Sequence, residues 1–153
     1  MFIRLWLALL LLSLTACDGY PRDTEGSTER ARQTMRVGVS HDPPFVEVRA
    51  GQAPSGTEVE LVQAFAQEHG YTIEWVEGGH DQLMTALLDN RLHLVAGGHD
   101  EDSPWTDVGW SRAFVLRGPE GGFARRRLAL PPAENAWQLS VDRYLHARER
   151  TLR

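Results

Sequence analysis

The chain has 153 residues, 16 of them Lys or Arg and 21 Asp or Glu, for a formal net charge of −5. That balance excludes a nucleic-acid partner, because phosphate binding needs clustered Lys and Arg. At 42% hydrophobic and 24% charged residues, the composition is that of a globular protein with length for one domain. The single cysteine, Cys17, excludes an intramolecular disulfide, Cys-based catalysis and Cys-rich zinc sites.

Arg4 supplies a positive charge ahead of Leu5 to Leu14, an apolar run too short to span a bilayer comfortably. Leu14-Thr15-Ala16-Cys17 then resembles the lipobox of bacterial lipoproteins. The resemblance implies a signal peptide over residues 1–16 and lipidation at Cys17, which makes the membrane a partner through the anchor. Asp18 directly after the cysteine implies the periplasmic side of the inner membrane, with the outer membrane as the alternative. Residues 18–34 are polar and charged. Such a segment buries too little apolar surface to offset its ordering entropy, so it is read as a flexible tether. The folded domain is expected over residues 35–150.

Met35 to Ser40 is predicted as a strand, broken by Asp42-Pro43-Pro44. Glu58 to His69 is predicted as a helix, with Leu61, Val62 and Phe65 on one face and Gly70 as its C-cap. Tyr71 to Val76 alternates as a second strand. Asp81 is expected to cap a second helix whose buried stripe is Leu83, Met84, Leu87 and Leu88. His93 to Ala96 is a third strand, ending at Gly97-Gly98. Val108 to Phe114 and Leu128 to Leu130 are further extended pieces. The basic run Arg125 to Arg127 is expected to be a solvated edge. A last helix follows Pro131-Pro132, with Trp137, Val141, Tyr144 and Leu145 on one face.

Strand, helix, strand, helix, strand is the pattern of an α/β fold, a mostly parallel sheet flanked by helices with right-handed crossovers. In such open sheets ligands meet the loops at the carboxyl ends of the strands. Three His-Asp pairs lie there: His41-Asp42, His80-Asp81 and His99-Asp100. Imidazole nitrogen with carboxylate oxygen suits a divalent zinc, nickel or copper ion; no other cofactor is expected. The alternative is that Asp81 is only a helix cap and the histidines are exposed loop residues. Phe45, Trp105 and Trp110 form a second candidate, an exposed aromatic patch for a ligand or partner. Alternatively, the two tryptophans pack under their own loop. No Gly-x-Ser-x-Gly, phosphate-binding Gly loop or His-Glu-x-x-His occurs, and the chain reads as non-enzymatic.

Three segments carry a family resemblance: MRVGVSHDPPF at 35–45, SGTEVELVQAFAQEHGYTIEWV at 55–76, and LLDNRLHLVAGG at 87–98. In order and spacing they resemble the family 3 periplasmic solute-binding proteins of amino-acid-type uptake transporters. The resemblance implies one lobe of a type II periplasmic-binding-protein fold, with the first strand between the second and third. It also implies a ligand aromatic at Phe45, with Glu58 standing where the family has an acid; Trp105 and Trp110 join these two as candidate ligand contacts. The family inserts a second lobe after the segment here written GWSRAF. Only Val115 to Ala124 follow before the closing strand, so the second lobe is expected to be absent. The family's carboxylate-gripping Arg after the third strand is replaced by the acidic loop HDEDSPWTD.

The expected function is a membrane-anchored extracytoplasmic solute-binding-like protein of transport or sensing. It would take a small polar solute weakly at the open strand edge. The alternative is a non-catalytic module that docks a transporter permease, a sensor or a partner lobe.

Overall fold

Met35–Val39 form strand β1, the middle of the parallel part of the sheet. Met35, Val37 and Val39, which share one face of the strand, are fully buried. The computed structural model describes residues 20–100, 102–118 and 121–152. In chain order its elements are α1 (Ser27–Gln33), β1, α2 (Thr57–His69), β2 (Ile73–Glu77), α3 (His80–Leu88) and β3 (Leu94–Ala96). They continue with β4 (Gly109–Trp110), β5 (Phe114–Arg117), β6 (Phe123–Arg126), β7 (Ala129–Leu130) and α4 (Asn135–Leu152).

The five-stranded sheet has the order β2-β1-β3-β7-β4. β1 pairs in parallel with β2 and β3, while β7 runs antiparallel to β3 and β4. Four strands therefore run one way and one the other, and the fold is α/β with a mostly parallel sheet. β1 lies between β2 and β3, as the resemblance implies.

Side chains alternate across the pleat, and the two faces of the sheet carry two cores. Leu94 and Ala96 join Phe65 of α2, Ala31 of α1, and Trp137, Val141 and Leu145 of α4. Val95 points the other way, to Leu83, Met84 and Leu87 of α3. Gly70 ends α2 with φ 71° and donates to Ala66 and Gln67, the glycine cap expected there.

Three expectations are corrected. Residues 27–33 are not tether but helix α1, with Ser27 and Ala31 fully buried. The folded unit therefore begins before residue 35. Its few apolar residues suffice because carboxylates from elsewhere in the chain hold the segment. Asp81 does not cap α3: the N-cap is Gly79, no side chain caps it, and Asp81 sits in the first turn, where its charge still favours the helix dipole. The single extended piece expected over 108–114 is two strands, β4 and β5. β5 and β6 form a separate two-stranded antiparallel hairpin in place of a second lobe.

Candidate functional site

The loop after β1 turns back on itself: the backbone N–H groups of Phe45 and Val46 donate to the Asp42 carbonyl at 3.0 and 2.9 Å. Phe45 is thereby held at the carboxyl edge of the sheet, half-buried, and its carbonyl accepts from the Glu58 N–H at 3.1 Å. Glycine at 56 makes this approach feasible. A Cβ there would lie 2.3 Å from the Phe45 oxygen, and φ is 118°.

Glu58, in the first turn of α2, is fully buried. Burial pushes its carboxyl up to about 8, with a hydrogen bond from the Gly97 backbone pulling the other way. A guanidinium nitrogen of Arg126 lies 3.6 Å from its Oε2 and favours the charged form. The same nitrogen donates to Asp42 Oδ2, which also accepts from the Gly98 N–H at 3.0 Å. The Arg126 guanidinium carbon stands 4.8 Å from the centre of the Phe45 ring, a cation–π distance. Asp42, Phe45, Glu58 and Arg126 thus form one cluster on three elements of the fold.

Arg126 is the residue that sequence reasoning missed. It belongs to the basic run expected to be solvated, yet it is only 9% exposed. The available signal was period two: Phe123 and Arg125 point outward, while Ala124 and Arg126 point inward. Beside the cluster, a cleft of about 490 Å3 opens between Pro43-Pro44-Phe45 and the hairpin residues Phe123 and Ala124. Phe123, 59% exposed, stands at its mouth.

The six residues of the His-Asp pairs do not gather. Among the described residues, no group of three or more His, Cys, Asp or Glu side chains is placed to hold a metal ion. Each pair has local business instead. His41 Nδ1 accepts from the Val48 N–H, Asp42 is engaged by Arg126, and Asp100 accepts from the Asp102 N–H. Only His80 and His99 meet, with ring centres 5.0 Å apart. His99 is fully buried. Burial, and secondly His80, hold its imidazole down to about 4, so it is neutral at pH 7.

Trp105 and Trp110 pack against the core under α3. The Trp110 indole N–H donates to the Trp105 carbonyl at 3.1 Å, and the Trp110 carbonyl accepts from Gln138. They form a wall around His80 and His99, not an open patch beside Phe45. Cys17 and the signal segment lie outside the described residues. Among the described residues no helix is long and apolar enough to cross a membrane.

Residues 35–103 match the family model of bacterial extracellular solute-binding proteins, family 3. The match spans under half of the chain and supports a family 3 solute-binding domain of partial length. The curated relatives include the arginine-binding extracellular protein ArtP of Bacillus subtilis, 31% identical over 101 residues, which are 63% of this chain and 38% of ArtP. They also include membrane-bound lytic murein transglycosylase F of Thiobacillus denitrificans, 30% identical over 89 residues, 58% of this chain and 18% of that protein. The chain thus spans well under half the length of either relative. Among solved structures, the arginine-bound form of domain 1 from TmArgBP is similar, with a TM-score of 0.64 at 21% identity. That match covers 78% of this chain and 95% of the domain. The single lobe of a periplasmic-binding-protein fold is therefore the architecture here, and Asp42, Phe45 and Glu58 lie inside the matched segment.

Proposed function

We propose that this chain is an extracytoplasmic solute-binding lobe, lipid-anchored at Cys17, that takes a small amino-acid-type solute at the carboxyl edge of its sheet in transport or sensing. The observation that carries the reading is the meeting of an aromatic face, Phe45, with the carboxylate of Asp42 and the buried carboxyl of Glu58. Such a cradle suits the cationic end of an amino acid. The names of the relatives agree in kind, since ArtP and domain 1 from TmArgBP are an arginine-binding protein and an arginine-bound domain. Half a cleft buries less of a ligand than a closed pocket does, so binding is weak. No step of the reading is catalytic: the site orients a solute and breaks no bond.

The test is the melting temperature of the full chain across the amino acids at millimolar concentration. A ligand that binds only the folded state raises the midpoint. A rise with at least one amino acid, lost in Asp42→Asn, is expected; a flat panel sinks the reading.

A second reading is favoured by Phe123, whose exposed ring at the mouth of the cleft offers an apolar contact to a transporter permease or a partner lobe. A flat panel combined with capture of the permease, lost in Phe123→Ser, would favour docking over solute binding.

A further inference from the structure

We infer that Arg126 is a tethered occupant of the solute site, so that a cationic solute binds only by displacing its guanidinium from Asp42, Phe45 and Glu58. The inference rests on the solute-binding reading above and adds a competitor built into the chain.

The contacts Arg126 makes are those a free guanidinium ligand would make. One aromatic face lies 4.8 Å away, one carboxylate oxygen of Asp42 accepts its proton, and a second carboxylate stands 3.6 Å off. A planar cation with several donors is recognised by this set of groups. The side chain also arrives from outside the site. It is carried on the last residue of β6, in a hairpin whose ladder is separate from the main sheet. Asp42, Phe45 and Glu58 belong to the loop after β1 and the start of α2.

The fit is incomplete. The Arg126 Nε is buried without a hydrogen-bond partner, and the Glu58 carboxyl is met only by the Gly97 backbone and, at 3.6 Å, by the Arg126 guanidinium. A structural ion pair that had to stand alone would satisfy the fork of the guanidinium and the lone pairs of the carboxylate, because buried polar groups left unmade are costly. The cradle therefore retains binding capacity that Arg126 does not use, and a free ligand with unconstrained geometry can use it. Occupancy by Arg126 lowers apparent affinity in proportion to the fraction of molecules in which the cradle is open. The tether thus sets the solute concentration at which the lobe responds.

The test compares L-arginine binding, by calorimetry, to the full chain and to Arg126→Met, which keeps an apolar stem over Phe45 and removes the charge. The variant is expected to bind about tenfold tighter or better. A second measurement uses the unsubstituted, nitrogen-15-labelled chain. The Arg126 Nε–H signal is expected to move when unlabelled L-arginine saturates the site, and this decides the matter if the variant does not fold. Equal or weaker binding by the variant, or a saturated site with an unmoved Arg126 signal, overturns the inference and leaves the solute reading standing. Binding of no amino acid to either protein sinks the solute reading, and the inference with it.

Discussion

The carboxylate of Glu134 accepts hydrogen bonds from the backbone N–H groups of Glu25 and Ser27, each at 2.6 Å, and so holds the start of α1 from the far end of the chain. Asp23 returns the contact: its Oδ1 accepts from the Trp137 N–H at 2.9 Å, in the first turn of α4, and its Oδ2 from Thr28. The two carboxylates satisfy backbone donors that a helix start leaves orphaned. Glu134 is 2% exposed, so truncating it leaves buried N–H groups unpaired. Glu134→Ala is expected to cost about 2–3 kcal/mol in denaturant melts, with amide exchange at Ser27 speeding first. A loss below about 0.5 kcal/mol would show that α1 is held by packing alone.

That clasp also marks what the sequence could not show. Hydrophobic periodicity was enough for α2, α3 and the three parallel strands, because their burial is local and repeats within a turn or a pleat. It failed for α1, whose order comes from a partner more than a hundred residues away. It failed for Arg126 for the same reason, since a charge in a basic run shows its burial only through the acids that face it. The resemblance singled out Phe45 and Glu58, which the structure brings together around Arg126. The six-residue metal cluster was not realised, because proximity of loops at a sheet edge does not fix where short side chains point.

The acid limb of stability depends on two buried histidines. Burial holds His93 and His99 each down to about 4, against an ordinary 6.5. His93 Nδ1 accepts from the Arg36 N–H at 2.9 Å, which needs the neutral ring. Folded molecules bind fewer protons than unfolded ones between these values, so stability is full above pH 6.5 and falls as pH drops toward 4. The loss is of order 3 kcal/mol for each group. His99→Phe is expected to flatten the fall in urea titrations between pH 7 and 4. An unchanged slope would place His99 in contact with water.

Glu58 titrates in the opposite sense. Its folded value, about 8 against an ordinary 4.5, means that the folded state binds more protons across that interval. Stability from this group is full below pH 4.5 and declines as pH rises toward 8. Arg126 opposes part of that decline. Glu58→Gln is therefore expected to gain on the unsubstituted protein by on the order of 1–3 kcal/mol between pH 5 and 8. No relative gain would mean that Arg126 fully neutralises the carboxylate.

Gly97 closes β3 against the end of β1. A Cβ there would lie 2.2 Å from the Ser40 carbonyl oxygen, and φ is 106°. Steric overlap with backbone and a conformation hostile to L side chains act together. Gly97→Ala is expected to lower stability by about 3 kcal/mol or more. Gly98→Ala, with φ 85° and nothing within 4 Å, should cost only about 1–2 kcal/mol. Equal melting temperatures for the two variants would refute the close approach.

On the solute-binding reading, Phe45 separates binding from folding. Its ring is half-buried, faces the Arg126 guanidinium at 4.8 Å and borders the cleft. Removing it deletes the aromatic face of the cradle, while the backbone bond between its carbonyl and Glu58 survives. Phe45→Ala is expected to weaken amino-acid binding about tenfold or more, the worth of a desolvated cation–π contact. Because the ring is not fully buried, stability should fall by only about 1–2 kcal/mol. Phe45→Tyr restores a π face of the same size and should recover most of the binding. If both variants bind as the unsubstituted protein does, the solute does not sit on this face. The search would then move to the His80–His99 side of the sheet edge.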